Sequence, residues 1–169
     1  MKYMSELEVY VTDLKAFVDR FNLPREWFKE PDHVAIKCQD AADYKAVIAG
    51  FSDGIVQQHE VSMNGRHLAS ALVAEGIPLG GFGSVQWLEV MEPRPERVGQ
   101  DVVGIDHTEF YYPDLAAVQA QAIELGVEVQ PESNPHHNWL TFVLNDRGQE
   151  LKITDSRLAE AAAREKMPS

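Results

Sequence analysis

Apolar and polar residues alternate over four short segments in the first half of the chain, and each alternation predicts a β-strand. The segments are DHVAIKC, GIVQQHEVSM, RHLASALVA and GSVQWLEVM. Asp40 fits the N-cap of a helix over AADYKAVIAGF, between the first strand and the second. Asn64-Gly65 separates the second strand from the third and favours a two-residue type I′ turn. The pattern therefore predicts one βαβββ unit.

The same order of elements starts again in the second half of the chain. The segment IDHTEFYYPDLAAVQAQAIELG predicts a strand, an Asp-capped helix and a glycine stop, and NWLTFVLND and QELKITD predict later strands. Three pairs of residues share an offset of 74 positions: Asp32 and Asp106, His33 and His107, and Asp40 and Asp114. Three matches at one offset, on the same predicted elements, indicate an internal duplication.

Three further segments flank or join the two units. Helically spaced apolar residues predict an N-terminal helix over 5–21, the proline-spaced EPRPERVGQ predicts an extended linker, and SRLAEAAAREK predicts a short C-terminal helix. The predicted fold class is α+β, with two tandem βαβββ modules forming a curved mixed sheet or open barrel around a central cavity, and an extra N-terminal helix. The predicted segments are a helical extension at 1–30, the first module at 31–92, the linker at 93–103, the second module at 104–155, and a C-terminal helix and tail at 156–169.

Charge and cysteine content narrow the classes of function. The formal net charge is -12, from 27 acidic and 15 basic residues, and phosphate backbones or anionic membranes need clustered Lys and Arg. We therefore expect a small-molecule ligand and neither nucleic acid nor membrane as a partner. A single cysteine, Cys38, excludes an internal disulfide and a cysteine zinc cluster. No signal peptide or membrane span is evident, so a cytoplasmic location is the default expectation.

Side chains alternate across a strand, and each predicted module has one apolar face suited to helix packing. The opposite face carries a histidine on the first strand and a glutamate on the last, which gives the set His33, Glu89, His107 and Glu150. If both faces curve around one cavity, two imidazoles and two carboxylates suit a divalent metal. Asp32 and Asp106 are expected to point away, as turn residues. The alternative is that the histidines are held at strand starts by hydrogen bonds alone.

Five other residues are candidates for the wall of the cavity or for contact with a substrate. Glu60 and His67 should share one face of the hairpin, and Arg66 beside the turn could bind a substrate carboxylate. Tyr111 shares a face with the second histidine, and His137 lies in a loop before a strand. Solvated edge or loop residues explain the same pattern, so these roles stay hypotheses.

The chain resembles the vicinal-oxygen-chelate superfamily in its duplicated modules and in the order of its candidate ligands, His/Glu/His/Glu. That order is read from the segments DHVAIKC, WLEV, GIDH and GQEL. That superfamily includes glyoxalase I, extradiol dioxygenases and bleomycin-resistance proteins. DHVAIKC, Glu60, MNGR and the segment from EPRP to GIDH look most like its YecM group, small bacterial proteins treated as metal-binding. The resemblance implies metal ligation by His33 and His107. Ligation by Glu89 and Glu150 is implied by the wider superfamily only.

Three classes of function remain open. The first is a metal-dependent enzyme with zinc, nickel, manganese or iron(II), preferably an isomerase or lyase in which Glu89 or Glu150 moves a proton, or else a two-His, one-Glu iron dioxygenase. The second is a module that sequesters a small molecule without turnover. The third is a structural or interaction protein. A homodimer is compatible with each of them.

Overall fold

The computed structural model describes residues 2–165, and these contain one eight-stranded mixed sheet. An N-terminal helix, α1 (Met4–Phe21), precedes the first module. That module consists of β1 (Pro31–Lys37), α2 (Ala41–Phe51), β2 (Ile55–Met63), β3 (Arg66–Pro78) and β4 (Ser84–Met91).

The second module repeats this order of elements. It consists of β5 (Gly104–Tyr111), α3 (Leu115–Glu124), β6 (Gln130–Ser133), β7 (Asn138–Val143) and β8 (Glu150–Thr154), and α4 (Leu158–Glu165) follows it. The sheet order is β2-β3-β4-β1-β5-β8-β7-β6, so the first strands of the two modules are neighbours at its centre. These two strands pair antiparallel, whereas each pairs in parallel with the last strand of its own module. The predicted α+β fold of two tandem βαβββ modules is confirmed, with a sheet that does not close.

Local signals produce the helix starts and the hairpin. The side chain of Asp40 accepts a hydrogen bond from the backbone N–H of Asp43 at 2.8 Å, and Asp114 caps the matching helix in the same way. Asn64 and Gly65 have φ angles of 53° and 73°, as a type I′ turn requires. Both caps and the turn agree with the sequence prediction.

Helix α1 packs on the apolar face of the sheet, across the second module. Tyr10 is fully buried, and its hydroxyl donates to the backbone oxygen of Glu150 at 2.7 Å and accepts from the N–H of Thr108 at 2.9 Å. The helix approaches so closely at Gly104 that a Cβ there would collide with Oε2 of Glu6. The other face of the sheet is left to form a cavity.

No helix within residues 2–165 is long and apolar enough to cross a membrane. The linker between the modules contains a short 3₁₀ turn, Pro95–Arg97. The end of the predicted C-terminal tail, 166–169, and residue 1 of the predicted N-terminal extension lie outside the described residues.

Candidate metal centre

The central strand pair, β1 and β5, contains two irregular positions in its register. Pro31 pairs with Phe110 and His33 pairs with Glu109, so Asp32 is an extra residue on β1. Further along, Ala35 pairs with His107 and Ile36 pairs with Ile105, so Asp106 is an extra residue on β5. Each aspartate is therefore the unpaired residue of a β-bulge, a feature that changes the direction of a side chain.

Both bulged aspartates contact the histidine that follows them. Oδ2 of Asp32 lies 2.8 Å from Nδ1 of His33, and Oδ2 of Asp106 lies 2.9 Å from Nδ1 of His107. Strict alternation along a strand predicted that the aspartates point to the opposite face. The bulges overturn that prediction, because the extra residue does not keep the period of two.

The two histidines approach each other across the strand pair. His33 is 4% exposed and His107 is 3% exposed, and their ring centroids are 5.5 Å apart. Their Nε2 atoms both lie 3.8 Å from Oε2 of Glu109, which is itself buried. Because Nδ1 of each ring is bonded to an aspartate, Nε2 is the atom left to bind a ligand in the cavity.

Glu89 joins the histidines from the neighbouring strand. It pairs with Ala35 in the register between β1 and β4, on the cavity face. One ligand atom each from His33, Glu89 and His107 lie within 4.8 Å of one another. Two imidazoles and one carboxylate are donors that suit a divalent metal, and each imidazole is oriented by its own aspartate, Asp32 or Asp106.

Glu150 occupies a different position in the second module from that of Glu89 in the first. It pairs directly with His107, whereas Lys152 pairs with Glu109 two residues further along. Nζ of Lys152 lies 3.3 Å from Oε2 of Glu150. The two half-sites are therefore unequal, with a carboxylate at Glu89 in one and an ammonium at Lys152 in the other.

This inequality separates the acidities of the two imidazoles. Burial alone would lower the pKa of His33, but the carboxylates of Glu109 and Asp32 outweigh it and raise that pKa to about 9. Burial together with the Lys152 ammonium lowers the pKa of His107 to about 3. Burial also raises the pKa of Glu109. In the metal-free protein at neutral pH, His33 is therefore the positively charged member of the pair and His107 is the neutral one.

A cavity of about 890 Å³ opens from this cluster. Its walls include all four predicted ligands together with Arg66 and His137, which were both predicted for the pocket. This volume is in the range of cavities that bind small molecules.

Three predicted pocket residues lie away from this cavity. Glu60 and His67 share a face of the hairpin, 3.4 Å apart, but it is the helix-packed face, where Tyr44 donates to Glu60. Tyr111 lines a separate, smaller cavity and carries the guanidinium of Arg157 over its ring. Alternation could not place Glu60 and His67, because it does not tell which face of an edge hairpin meets a helix. Tyr111 lies at the end of β5, four residues beyond His107.

Two important residues of the site were missed in the sequence. Alternation put Glu109 on the same face as His107, which was the available signal, but it gave no reason to prefer Glu109 over other polar residues. In the same way, alternation put Lys152 on the same face of its strand as Glu150. Their proximity to the histidines depends on the register between β1, β5 and β8.

Two βαβββ modules are joined through their first strands, and each places a histidine of that strand in one shared cavity, which is the fold that the resemblance to the vicinal-oxygen-chelate superfamily implied. Solved structures of similar fold include methylmalonyl-CoA epimerase from Mycobacterium tuberculosis, at 18% identity and a TM-score of 0.57, covering 79% of this chain and 91% of the epimerase. A variant of the methylmalonyl-CoA epimerase of Streptomyces coelicolor, in complex with 2-nitronate-propionyl-CoA, is also 18% identical, with a TM-score of 0.50 over 75% of this chain and 96% of its own. At these identities the likeness concerns the fold.

The family model described as YecM protein matches residues 1–164, and the chain belongs to that family. The structural-genomics Protein EC4020 is 20% identical, with a TM-score of 0.77 over 97% of this chain and 91% of that one. No curated protein matches the chain.

Proposed function

We propose that this chain binds a divalent metal through His33, His107 and Glu89, and acts on a small oxygen-chelating substrate as an isomerase or lyase. The observation that carries the proposal is the approach of these three ligand atoms to within 4.8 Å, with each imidazole oriented by its own aspartate. The carboxylate of Glu89 is essential to this argument, because two buried histidines alone would not indicate a metal site.

The donor set supports three protein ligands with open positions for substrate. Glu150, expected from the superfamily pattern as a fourth ligand, is engaged by Lys152 at 3.3 Å. Glu109 faces both Nε2 atoms from 3.8 Å and is the alternative second carboxylate ligand. Zinc, nickel, manganese and iron(II) all accept such mixed nitrogen and oxygen sites.

The cavity residues divide the chemistry between binding and proton transfer. A bound divalent cation supplies Lewis-acid polarisation of a substrate oxygen. Glu150 lines the cavity with its side chain 32% exposed, so it is the carboxylate that substrate can reach and the proposed proton carrier. The ammonium of Lys152, 3.3 Å away, holds that carboxylate in place.

Metal analysis of protein purified without a polyhistidine tag tests the proposal. We expect near-stoichiometric divalent metal, or saturable uptake of added zinc, nickel, manganese or iron(II), in the wild type. The double variant His33→Ala/His107→Ala should lose it, because both imidazole ligands are removed. The matched control His59→Ala/His67→Ala removes two histidines outside the cavity and should keep the metal.

A wild-type protein that takes up none of the four metals contradicts the proposal. Turnover is tested separately, with a panel of diketones, hemithioacetals and catechols presented to the metal-loaded protein. Conversion of a panel member that is lost in Glu150→Gln, with metal content unchanged, supports the proton-transfer role. Catechol cleavage alone, with iron(II), would assign dioxygenase chemistry instead. Stoichiometric metal without any turnover would favour a sequestering module.

A further inference from the structure

Lysine and arginine side chains are enriched in the wall of the main cavity of a strongly acidic chain. Six of the 15 lysines and arginines line it, although the net charge of the chain is -12. The six residues are Lys37, Arg66, Arg94, Arg97, Lys152 and Arg157. Such convergence raises the question of which cations are already neutralised.

Four of the six have carboxylate partners. The ion pairs are Lys37–Asp106 at 2.9 Å, Lys152–Glu150 at 3.3 Å, Arg97–Asp101 at 2.7 Å, and Arg157 with Glu30. These cations balance charges within the fold and are not available as the main binding groups for a ligand.

Arg66 and Arg94 are the remaining two. Among the described residues, no carboxylate forms an ion pair with either guanidinium. Nε of Arg66 is buried without a hydrogen-bond partner, and Nη1 makes a 3.4 Å contact with the backbone oxygen of Glu92. A buried donor without a partner is costly, so a cavity-lining guanidinium in this state is suited to an external acceptor.

The backbone holds these two arginines at the same end of the cavity. The backbone N–H of His67 donates to Oε2 of Glu92 at 2.7 Å, and the N–H of Glu92 donates to the oxygen of His67 at 2.9 Å. Pro95 packs on the turn, where its Cγ would lie 3.5 Å from a Cβ at Gly65. The hairpin turn and the linker are thus fastened to each other beside Arg66 and Arg94.

The arginine end lies apart from the histidine end. Glu89 pairs with Ser70 on β3, and Arg66 is four residues away from Ser70 along that strand. At about 3.3 Å per residue this separates the two backbone levels by roughly 13 Å. Within residues 2–165, the two ends of the cavity therefore differ in charge. At the histidine end, the carboxylates of Glu89 and Glu109 form no ion pair with a lysine or arginine; at the other end, two guanidiniums form none with a carboxylate.

We propose that Arg66 and Arg94 form an anion-binding subsite that takes a carboxylate or phosphate group of an extended ligand. The other end of this ligand reaches the histidine cluster, so this second statement rests on the proposed function. The planar guanidinium of Arg66 offers the paired donors that both anions accept.

The test uses metal-free, ¹⁵N-labelled full-length protein titrated with inorganic phosphate and, separately, with succinate. Binding is followed through the Nε–H signal of Arg66, which is assigned by its absence in Arg66→Gln. In the wild type we expect this signal to shift saturably at millimolar anion concentrations. In Arg66→Gln/Arg94→Gln the affinity, followed through other signals of the protein, should be weaker by roughly tenfold or more. The matched control Arg20→Gln/Arg25→Gln removes two positive charges from the surface outside the cavity and should bind as the wild type does.

Tighter binding of phosphate or of succinate identifies the anion that the subsite prefers, and either supports the proposal. Equal affinities in the wild type and Arg66→Gln/Arg94→Gln, or no saturable shift of the Arg66 signal with either probe, overturn it. Metal uptake is measured on the same variant and should be unchanged. If the variant loses anion binding but still takes up metal, the result concerns the anion subsite alone. If the wild type binds the anion but takes up no metal, the subsite stands and the proposed function is contradicted.

Discussion

Nδ1 of His107 donates a hydrogen bond to Oδ2 of Asp106 across 2.9 Å, although adjacent residues on a strand normally point to opposite faces. The bulge at Asp106 makes this contact possible, and the equivalent bulge at Asp32 does the same for His33. A carboxylate on the far ring nitrogen fixes the tautomer and orientation of a ligating histidine.

Replacing Asp106 should therefore weaken metal binding without removing a ligand. We expect Asp106→Asn to lower the affinity for zinc about 10- to 100-fold, because the amide carries no charge to orient and polarise the imidazole of His107. Competition with a chromophoric chelator measures this affinity. The control Asp53→Asn changes an exposed residue of the same type and should bind zinc as the wild type does. An unchanged affinity in Asp106→Asn would show that the carboxylate of Asp106 has no role in metal binding.

Glu109 should control the protonation of His33 in the metal-free protein. We expect His33 to titrate with a pKa of about 9 in NMR spectra of the wild type, and at a lower pH in Glu109→Gln, because the variant loses the largest charge that raises it. Glu132 lines the same cavity but accepts hydrogen bonds from Trp139 and Thr141, so Glu132→Gln is the control. A His33 pKa that is the same in Glu109→Gln and the wild type would contradict the geometry.

The same shift has a consequence for stability. Because the pKa of His33 in the fold is above the ordinary value of 6.5, its protonated form stabilises the metal-free protein fully below pH 6.5. This contribution is lost as the pH rises towards 9. Urea unfolding at several pH values should therefore show a fall in the free energy of unfolding over this interval, and a smaller fall in Glu109→Gln. Equal falls in both proteins would disagree with this assignment.

Tyr10 should be a strong determinant of stability through its hydroxyl. Tyr10→Phe leaves the N–H of Thr108 without its acceptor in a fully buried position, at a cost of about 1–3 kcal/mol. Chemical denaturation measures the loss. Tyr112 is half-buried, and Tyr112→Phe should cost much less. Similar losses for the two variants would mean that the hydrogen bonds of Tyr10 contribute little.

Asp43 should stabilise the fold only while it is ionised. Burial raises its pKa, but hydrogen bonds from Gln39, Lys2 and Tyr3 outweigh this and hold the pKa below the ordinary value of 3.8. Its contribution is therefore present above pH 3.8 and is lost as the pH falls through the lowered pKa. Acid unfolding curves should fall more steeply for the wild type than for Asp43→Asn, with Asp53→Asn as control. Parallel curves for wild type and Asp43→Asn would contradict this.

Local patterns were sufficient to predict the modules. The Asp40 and Asp114 caps, the Asn64-Gly65 turn and the alternation of the strands each depend on residues close in sequence, and backbone sterics give them the same meaning in any fold. The repeat at an offset of 74 then indicated that the module is duplicated. These features determined the α+β architecture and placed the two histidines on a cavity face.

Tertiary structure alone decided how that face becomes a site. The bulges at Asp32 and Asp106, the position of Glu109 between the imidazoles and the Lys152–Glu150 pair all depend on register between strands distant in sequence. Alternation assigns a face to a side chain, but the neighbours across a sheet follow from how many residues each strand inserts at a bulge. The sequence by itself therefore determined the paired modules and their histidines, whereas strand pairing decided the atoms that surround them.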